Sequence, residues 1–315
     1  MFINKVSFII VNYNTKNLTS QTIKSITNSF DNKNGFEIIL VDNASTDGSK
    51  DFFEDLDKKI DNFKYIYNEE NYGFGKANNI GFKHSTGEYI YILNSDTMLH
   101  TKNIDKIIKD KFSQYSDAGV IATKVQYEDG TPQPNVQNFT TLTGVFLRLL
   151  KIGQLVRNSK LLFKFINIFP FKPHFVKVYL DNFNKEREEG FVDWASGCSL
   201  IFKRELYEKL GGFDENFFMY SEDEEICLRV HKLGYSILYT PNILITHLEG
   251  KSNTNKNINE FLTEEKVKSE FYLFKKHYSK KIKNLKIIYV LISSIGSFFS
   301  KRLKIIKKSM KGLSL

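Results

Sequence analysis

Cysteine is scarce in this chain of 315 residues, which contains only Cys198 and Cys227. The two have neither the spacing of metal ligands nor the pattern of a disulfide framework. This scarcity favours a reducing cytoplasm, where both thiols would serve as small core residues. A signal peptide is not expected either. The one early apolar run, Val6–Val11, is too short for one and is better interpreted as a first strand.

Acidic residues are absent from residues 271–315, which hold twelve Lys or Arg. The formal net charge of the chain is +9, so this segment carries the whole basic excess. Its apolar run, Ile287–Phe299, is shorter than the roughly 20 residues that span a bilayer. The pattern predicts a helix on an anionic membrane surface, hence a cytoplasmic protein held peripherally on the inner face of the cell membrane. The alternative is a packed helix with a solvated basic face.

Nucleic acid is another acidic partner that a basic segment can bind, but no recognisable nucleic-acid-binding motif is present, so none is expected. Residues 141–180 are also basic, with seven Lys or Arg and no acid. We interpret them as helices that form a cover or a second membrane-facing patch, or else an ordinary helical insertion. The sequence leaves these alternatives open.

Residues 1–125 alternate apolar strand patterns with helical spacing, which is typical of a doubly wound α/β sheet that is mainly parallel. Near Thr131 the alternation stops, and it resumes at Phe191. The predicted strands are Val6–Val11, Phe36–Val41, Phe63–Tyr67, Tyr89–Leu93, Val192–Ser196, Ser199–Phe202, Ser236–Tyr239 and Ile243–Thr246. The predicted helices are Leu18–Ile26, Lys50–Leu56, Lys76–His84 and Glu222–Leu233.

Polar side chains follow three of these strands, in the segments Asn12-Tyr13-Asn14, Asp42-Asn43 and Asn94-Ser95-Asp96. Because ligands of open α/β sheets bind at the carboxyl ends of the strands, we expect these segments to share a site. Asp42 can accept a hydrogen bond from a base or a ribose hydroxyl, and Tyr13 can pack on a ring. Asp96 can hold a divalent cation that binds a diphosphate, or it can simply cap a turn.

Two further segments carry candidate chemistry. Gly73-Phe74-Gly75 would allow the backbone to approach a ligand closely. Ser221-Glu222-Asp223-Glu224 reads as a capping box at a helix start, in which Ser221 and Glu224 cap the backbone and Asp223 complements the helix dipole. A carboxylate held there, beside the aromatic run that precedes it, is also a candidate general base.

Taken together, the motifs resemble those of family 2 inverting glycosyltransferases, and they are similar to bacterial rhamnosyltransferase-like members. They appear in family order between residues 6 and 252. The segments that carry the resemblance are Ile9–Asn14, Val41–Ser49, Asn71–Asn79, Leu93–Asp96, Gly211–Glu215, Phe218–Asp223 and His247.

The resemblance implies an A-type glycosyltransferase fold, with a Rossmann-like mixed sheet, and a nucleotide-sugar donor. Regions 128–190 and 255–315 match nothing in the family, so the helical insertion and the basic C-terminal helical tail are expected from their composition alone. We therefore expect a nucleotide-sugar-binding half at 1–125, an acceptor-binding half at 126–255 with the insertion at about 141–180, and the tail at 256–315. Asp223 would be the catalytic base, and Asp96 and His247 would bind Mn2+ or Mg2+. The implied donor-binding residues are Asn12, Tyr13, Asp42, Asn43, Gly75, Asn94 and Ser95, and the acceptor-binding residues are Trp194 and Glu222.

Two positions qualify these assignments. Asn94 stands where the family's D-x-D-type motif has its first Asp, which leaves one carboxylate fewer near the cation. Trp194 is as readily interpreted as a core tryptophan as an acceptor contact.

The implied reaction moves a sugar from dTDP-rhamnose or a UDP-sugar to a glycan or polyprenyl-linked acceptor, with inversion, in bacterial surface polysaccharide synthesis. A catalytically inert subunit that binds nucleotide sugar is the alternative. A Rossmann dehydrogenase is excluded, because Asn12-Tyr13-Asn14 follows the first strand where that class has a G-x-G-x-x-G turn.

Overall fold

The computed structural model describes residues 5–150, 184, 186–248 and 256–293. Most of the predicted helical insertion and the end of the basic tail therefore lie outside the described residues. The chain divides into two compact units. The first comprises Met1–Gln137 and Asp181–Thr254, and the second comprises Asn138–Leu180 and Asn255–Leu315.

The strands of the described residues all belong to the first unit, whereas the helices are shared between the two. The strands are β1 (Val6–Asn12), β2 (Phe36–Asp42), β3 (Phe63–Tyr67), β4 (Tyr89–Leu93), β5 (Thr97–Leu99), β6 (Ala118–Gln126), β7 (Val136–Gln137), β8 (Gly190–Val192), β9 (Trp194–Ala195), β10 (Ser199–Lys203) and β11 (Ser236–His247). The helices are α1 (Lys16–Asn28), α2 (Ser49–Asp57), α3 (Phe74–Lys83), α4 (Ile104–Gln114), α5 (Leu142–Leu149), α6 (Arg204–Leu210), α7 (Glu222–Lys232), α8 (Lys256–His277) and α9 (Ile282–Ser293).

The first unit is built on a mixed sheet in the order β3-β2-β1-β4-β10-β6-β11-β5, with β8 paired to β11. Strands β1 to β4 are parallel, and so are β6 and β11, but β10 runs antiparallel between β4 and β6. Strands β7 and β9 form a separate small sheet. The predicted mixed, doubly wound α/β class is confirmed.

Helices cover both faces of this sheet, which explains the uninterrupted apolar strands. On β2, Ile38 and Leu40 join the cluster that contains α1, α2 and α4 side chains. Their neighbours Ile39 and Val41 instead pack against Ala77 of α3. All five residues of β4 are buried, as its uncharged sequence predicted.

Two predicted strand assignments differ from the structure. The strands predicted at Ser236–Tyr239 and Ile243–Thr246 are one strand, β11, whose pairing with β6 shifts between Thr240 and Leu244. Pro241 lies inside this shift and has no N–H to donate, which accounts for the irregularity. The strand predicted at Val192–Ser196 is divided into β8 and β9, because the two halves pair with different strands.

The second unit is helical in its described residues. Helices α5, α8 and α9 bury Val145, Phe271, Phe274, Leu285 and Tyr289 in a common core. Glu270, almost completely buried, accepts hydrogen bonds from Arg148 and from the Tyr289 hydroxyl. None of the helices among the described residues is both long enough and apolar enough to cross a membrane.

Candidate active site

The ends of β1 and β2 meet at the predicted edge of the sheet, because Asn12 and Asp42 are register partners. Asn12 Nδ2 donates to Asp42 Oδ2 over 2.7 Å, and the backbone N–H of Ser45 donates to Asp42 Oδ1, also over 2.7 Å. Both residues are fully buried. In this structure Asp42 therefore organises the loop after β2, and its predicted contact with the nucleoside remains a prediction.

The rim of this edge is more open. Tyr13 is half exposed beside the buried Asn12, so its ring is available to a planar ligand. The Ser95 hydroxyl lies 3.1 Å from the Thr15 hydroxyl, which links the end of β4 to the end of β1. Asn43 is buried, and its side-chain amide donates to the carbonyl oxygen of Gly73.

The Gly73–Gly75 segment approaches the chain itself rather than open space. A Cβ on Gly73 would lie 2.2 Å from the carbonyl oxygen of Phe218, and one on Gly75 would lie 3.0 Å from Cβ of Phe213. The loop Phe213–Phe218 occupies the space beside both glycines, so packing within the chain accounts for them, and their predicted close approach to a ligand stays a prediction. Gly75 is buried, so its predicted donor contact finds no support in this geometry.

Asp96 and His247, the two predicted metal ligands, are brought together although they are remote in sequence. His247 Nε2 lies 3.1 Å from Asp96 Oδ1, and both side chains are mostly buried. Asn94 Nδ2 is 3.4 Å from the same imidazole nitrogen. The pairing of β11 with β5 sets His247 opposite Thr97, directly after Asp96.

The Asp96–His247 pair fits a divalent cation. Two neighbouring ligands at about 2.1 Å from an octahedral ion are separated by about 3 Å, which matches the observed spacing. Among the described residues, no group of three or more His, Cys, Asp or Glu forms a metal site. A cation held by this pair would therefore need phosphate oxygens and water to complete its shell.

The predicted base, Asp223, lies at the start of α7, and two backbone N–H groups hold its carboxylate in place. Its Oδ2 accepts from Gly197 over 3.1 Å, and its Oδ1 accepts from Glu224 over 2.9 Å. The residue after Gly197, Cys198, accepts a hydrogen bond from the backbone N–H of Asn94. The turn Ser196–Cys198 therefore connects the base to the segment that carries Asp96.

The predicted capping box at α7 is wrong. Ser221 precedes the helix with φ +63° and makes no side-chain cap, and Tyr220 before it has φ +70°. Such left-handed conformations are costly for residues other than glycine and cluster at functional sites. With the backbone turned this way, Asp223 rather than Ser221 supplies the side-chain acceptor in the first turn.

Glu222 and Trp194, the predicted acceptor contacts, are both buried, with exposed fractions of 6% and 9%. Neither offers a surface to an acceptor in this structure, and the acceptor role of each remains a prediction. Burial, followed by the negative charge of Asp223, raises the pKa of Glu222 well above its usual range. Within the described part of the chain, no hydrogen-bond partner reaches Glu222 Oε2.

Three residues that the sequence left without a role hold the loop that follows α6. Asn79 of α3 accepts from the Phe213 N–H and donates to the Phe213 carbonyl oxygen. Arg229 of α7 donates to the carbonyl oxygens of Leu210 and Gly212, and it pairs with the fully buried Glu225. The pair Glu225–Arg229 could have been predicted from the sequence, because opposite charges at i, i+4 lie on one face of a predicted helix.

The family model described as glycosyl transferase family 2 matches residues 7–211, well over half of the chain. The chain belongs to glycosyl transferase family 2. The predicted family is therefore confirmed, and with it glycosyltransferase activity at the level of the family. Every candidate residue from Asn12 to Trp194 lies within the matched segment, whereas Glu222, the proposed base Asp223 and His247 follow it.

Two of the curated relatives of this family 2 chain are named glycosyltransferases. The N-acetylglucosaminyl-diphospho-decaprenol L-rhamnosyltransferase of Mycobacterium tuberculosis is 25% identical over 229 residues, covering 68% of this chain and 67% of the relative. A low-salt glycan biosynthesis hexosyltransferase of Haloferax volcanii is 24% identical over 75% of this chain and 64% of its own length. The chain thus spans about two thirds of these relatives.

Solved structures similar to this family 2 chain share its fold. A mannosyltransferase from Pyrobaculum calidifontis, in complex with GDP-Man and Mn2+, matches with a TM-score of 0.55 and 15% identity, covering 100% of this chain and 76% of that one. GalNAc-T7 with UDP, GalNAc and Mn2+ matches with a TM-score of 0.56 and 16% identity, covering 91% of this chain and 55% of that one. The fold is the A-type glycosyltransferase fold.

Proposed function

We propose that this protein transfers a sugar from a nucleotide-sugar donor to a glycan or lipid-linked acceptor, with inversion, during bacterial polysaccharide synthesis. The name of the mycobacterial relative, a rhamnosyltransferase acting on a diphospho-decaprenol, supports dTDP-rhamnose as donor and a polyprenyl-linked acceptor. A UDP-sugar is the other donor to test. The observation that carries the proposal is the turn Ser196–Cys198, which joins Asp223 to the segment of Asp96.

In the proposed reaction Asp223 takes the proton of the attacking acceptor hydroxyl, because a neutral hydroxyl is a poor nucleophile. The two N–H groups that bind its carboxylate hold it in one orientation, and its partial exposure leaves it accessible to the acceptor. A single in-line displacement at the anomeric carbon then inverts the configuration. The chain needs no second nucleophile for this route.

We propose that Asp96 and His247 hold a Mn2+ or Mg2+ ion, with Asn94 beside them. Such an ion, when bound, stabilises the negative charge of the departing nucleotide diphosphate. Because the pair supplies only two protein ligands, ion and diphosphate should bind interdependently. Tyr13 lies on the rim where the base of the nucleotide would pack.

We further propose that the second unit docks on an anionic membrane, where a lipid-linked acceptor would be found. On α9, Leu285 and Tyr289 are buried, whereas Ile287 and Leu291 are 55% and 59% exposed on the opposite side of the helix. Lys283 is exposed on that same outward side. Exposed apolar side chains beside a lysine suit an anionic lipid surface.

A panel of nucleotide sugars in thermal-shift assays, each with and without Mn2+, tests the proposed donor. A ligand that binds only the folded state raises the apparent stability, so the true donor should do so more strongly with the ion present. The selected donor is then assayed for hydrolysis and transfer. Binding without either reaction would favour the inert nucleotide-sugar-binding subunit, and no shift from any donor would contradict the proposal.

A further inference from the structure

Gln133 stands behind the imidazole of His247, on the side away from Asp96. Its Nε2 lies 3.1 Å from His247 Nδ1, whereas Asp96 Oδ1 lies 3.1 Å from His247 Nε2. Gln133 as a whole residue is 9% exposed, and its backbone N–H donates to the carbonyl oxygen of Val125 on β6. The glutamine is therefore a fixed, buried neighbour of a proposed metal ligand.

The position of the ring proton of His247 decides whether Gln133 must donate a hydrogen bond to Nδ1 or accept one from it. In the arrangement observed, the amide N–H2 of Gln133 donates to Nδ1, so the ring proton lies on Nε2 and is donated to Asp96. A cation at Nε2 needs the lone pair there, which moves the proton to Nδ1. Nδ1–H then needs an acceptor, and metal-bound histidines almost always have one.

A glutamine amide can meet both requirements, because one end donates and the other accepts. A half-turn of the terminal amide exchanges the two ends without moving the rest of the side chain. We propose that Gln133 is a positioning residue that sets the tautomer of His247: its N–H2 stabilises the cation-free pairing with Asp96, and its carbonyl oxygen stabilises the tautomer that binds a divalent cation. This inference rests on the proposed metal role of His247.

Three variants separate this role from packing. Gln133→Met keeps the length of the side chain and removes both polar ends. Gln133→Glu keeps only acceptors, so it should favour the Nδ1–H tautomer. Gln126→Met is the matched control, because Gln126 donates to Thr246, next to His247, but not to the imidazole.

The experiment uses the full chain with 15N-labelled histidine and Mn2+ alone as the probe. Mn2+ affinity is measured by water proton relaxation, and the tautomer is read from the 15N shifts of His247, assigned by their loss in His247→Gln. We expect Gln133→Met to bind Mn2+ 10- to 100-fold more weakly, the range typical of lost partners of metal ligands. Gln133→Glu should bind at least as well as the parent and shift the metal-free ring toward Nδ1–H. Gln126→Met should match the parent.

Parent-like Mn2+ affinity in folded Gln133→Met would overturn the inference. Equal weakening in Gln133→Glu and Gln133→Met would do the same, because the loss would then come from packing. If the parent itself binds no Mn2+, the proposed metal role fails separately. The spectrum of Gln133→Glu then decides alone: a shifted tautomer upholds the role of Gln133, and an unshifted one overturns it.

Discussion

At the scale of single residues, the carboxylate of Asp223 combines two tasks, because it caps backbone N–H groups and is the proposed base. In Asp223→Asn the amide has one oxygen for two N–H donors, so one hydrogen bond is lost, at a cost of about 1 kcal/mol. Donor binding should persist, since no donor-side residue changes. Transfer should fall by about 10²–10⁴, the usual contribution of a general base.

Steady-state transfer rates and donor titrations measure these two effects separately. Asp129→Asn is the matched control, since Asp129 also accepts from a backbone N–H, that of Thr131, but lies outside the site. It should transfer at the parent rate. Parent-like transfer by Asp223→Asn would mean that another group is the base, with Glu222 or Glu224 next to test.

Asp96 should couple the nucleotide to the cation. Asp96→Ala removes one of two proposed protein ligands, so the nucleotide diphosphate should bind more weakly and lose most of its dependence on Mn2+ or Mg2+. Calorimetric titrations of the parent, Asp96→Ala and the exposed control Asp110→Ala give this comparison. Equal affinity of all three proteins with the ion present would refute the metal role.

Glu222 should make folding stability depend on pH. Burial raises its pKa in the folded state above the ordinary value of 4.5, so the folded protein binds more protons than the unfolded one in the range between the two values. The free energy of unfolding therefore falls as pH rises through that range, by at most about 1.4 kcal/mol per pH unit. Glu222→Gln has no proton to lose and should show a flatter profile. Denaturant unfolding from pH 4 upward tests this, and parallel profiles would contradict it.

Single residues differ in how far the sequence could identify them. Asp42 and Asp96 were recognisable because each lies at the carboxyl end of a buried strand in a parallel sheet. The proximity of His247 to Asp96 depends on the pairing of β11 with β5, which hydrophobic periodicity does not encode. It could be predicted only through the family resemblance. The left-handed backbone at Tyr220 and Ser221 could not be predicted, because neither position has the glycine that usually marks a positive φ.

At the scale of elements, the contact of Gly73 with the loop Phe213–Phe218 can be tested by adding one methyl group. Gly73→Ala places Cβ 2.2 Å from the Phe218 carbonyl oxygen at a positive φ. Gly130→Ala also places an alanine at positive φ, but its Cβ meets nothing within 4 Å, so it serves as the control without a clash, at a cost of about 1–2 kcal/mol. Gly73→Ala should lose distinctly more stability in denaturant unfolding. Equal losses of stability in the two variants would show that the loop Phe213–Phe218 moves aside at no cost.

Helices and strands were predicted well where the hydrophobic pattern of the sequence is unambiguous. Strands β1 to β4 lie where short, mostly apolar runs bounded by turn residues placed them, because such runs are too short for helices. The antiparallel insertion of β10 between β4 and β6 was not predictable. A five-residue strand looks the same in either direction, and only long-range packing selects its neighbours.

At the scale of the whole molecule, membrane docking can be separated from folding by surface variants. Truncation from residue 281 would remove the buried Leu285 and Tyr289, so point substitutions are preferable. Ile287→Ser with Leu291→Ser should reduce co-sedimentation with anionic vesicles about tenfold or more, because each apolar side chain contributes about 1.5–3 kcal/mol when buried.

The control pair Phe52→Ser with Leu233→Ser removes comparable exposed apolar surface from the first unit and should sediment like the parent. High salt should release the parent only in part, since the Debye length falls from about 10 Å at 0.1 M to about 3 Å at 1 M while apolar burial persists. If the parent protein stays in the supernatant at low salt, the docking proposal is wrong and α9 only packs within the second unit.

The position of β10 also has a consequence for synthesis on the ribosome. Strands β4 and β6 are complete by residue 126, yet the strand between them ends at Lys203. At about 5–20 residues per second, the edges of β4 and β6 stay without their partner for several seconds. Unpaired apolar edges are sites of aggregation. The nascent chain should therefore depend most on chaperones during this interval, and slower translation there should lower the yield of folded protein.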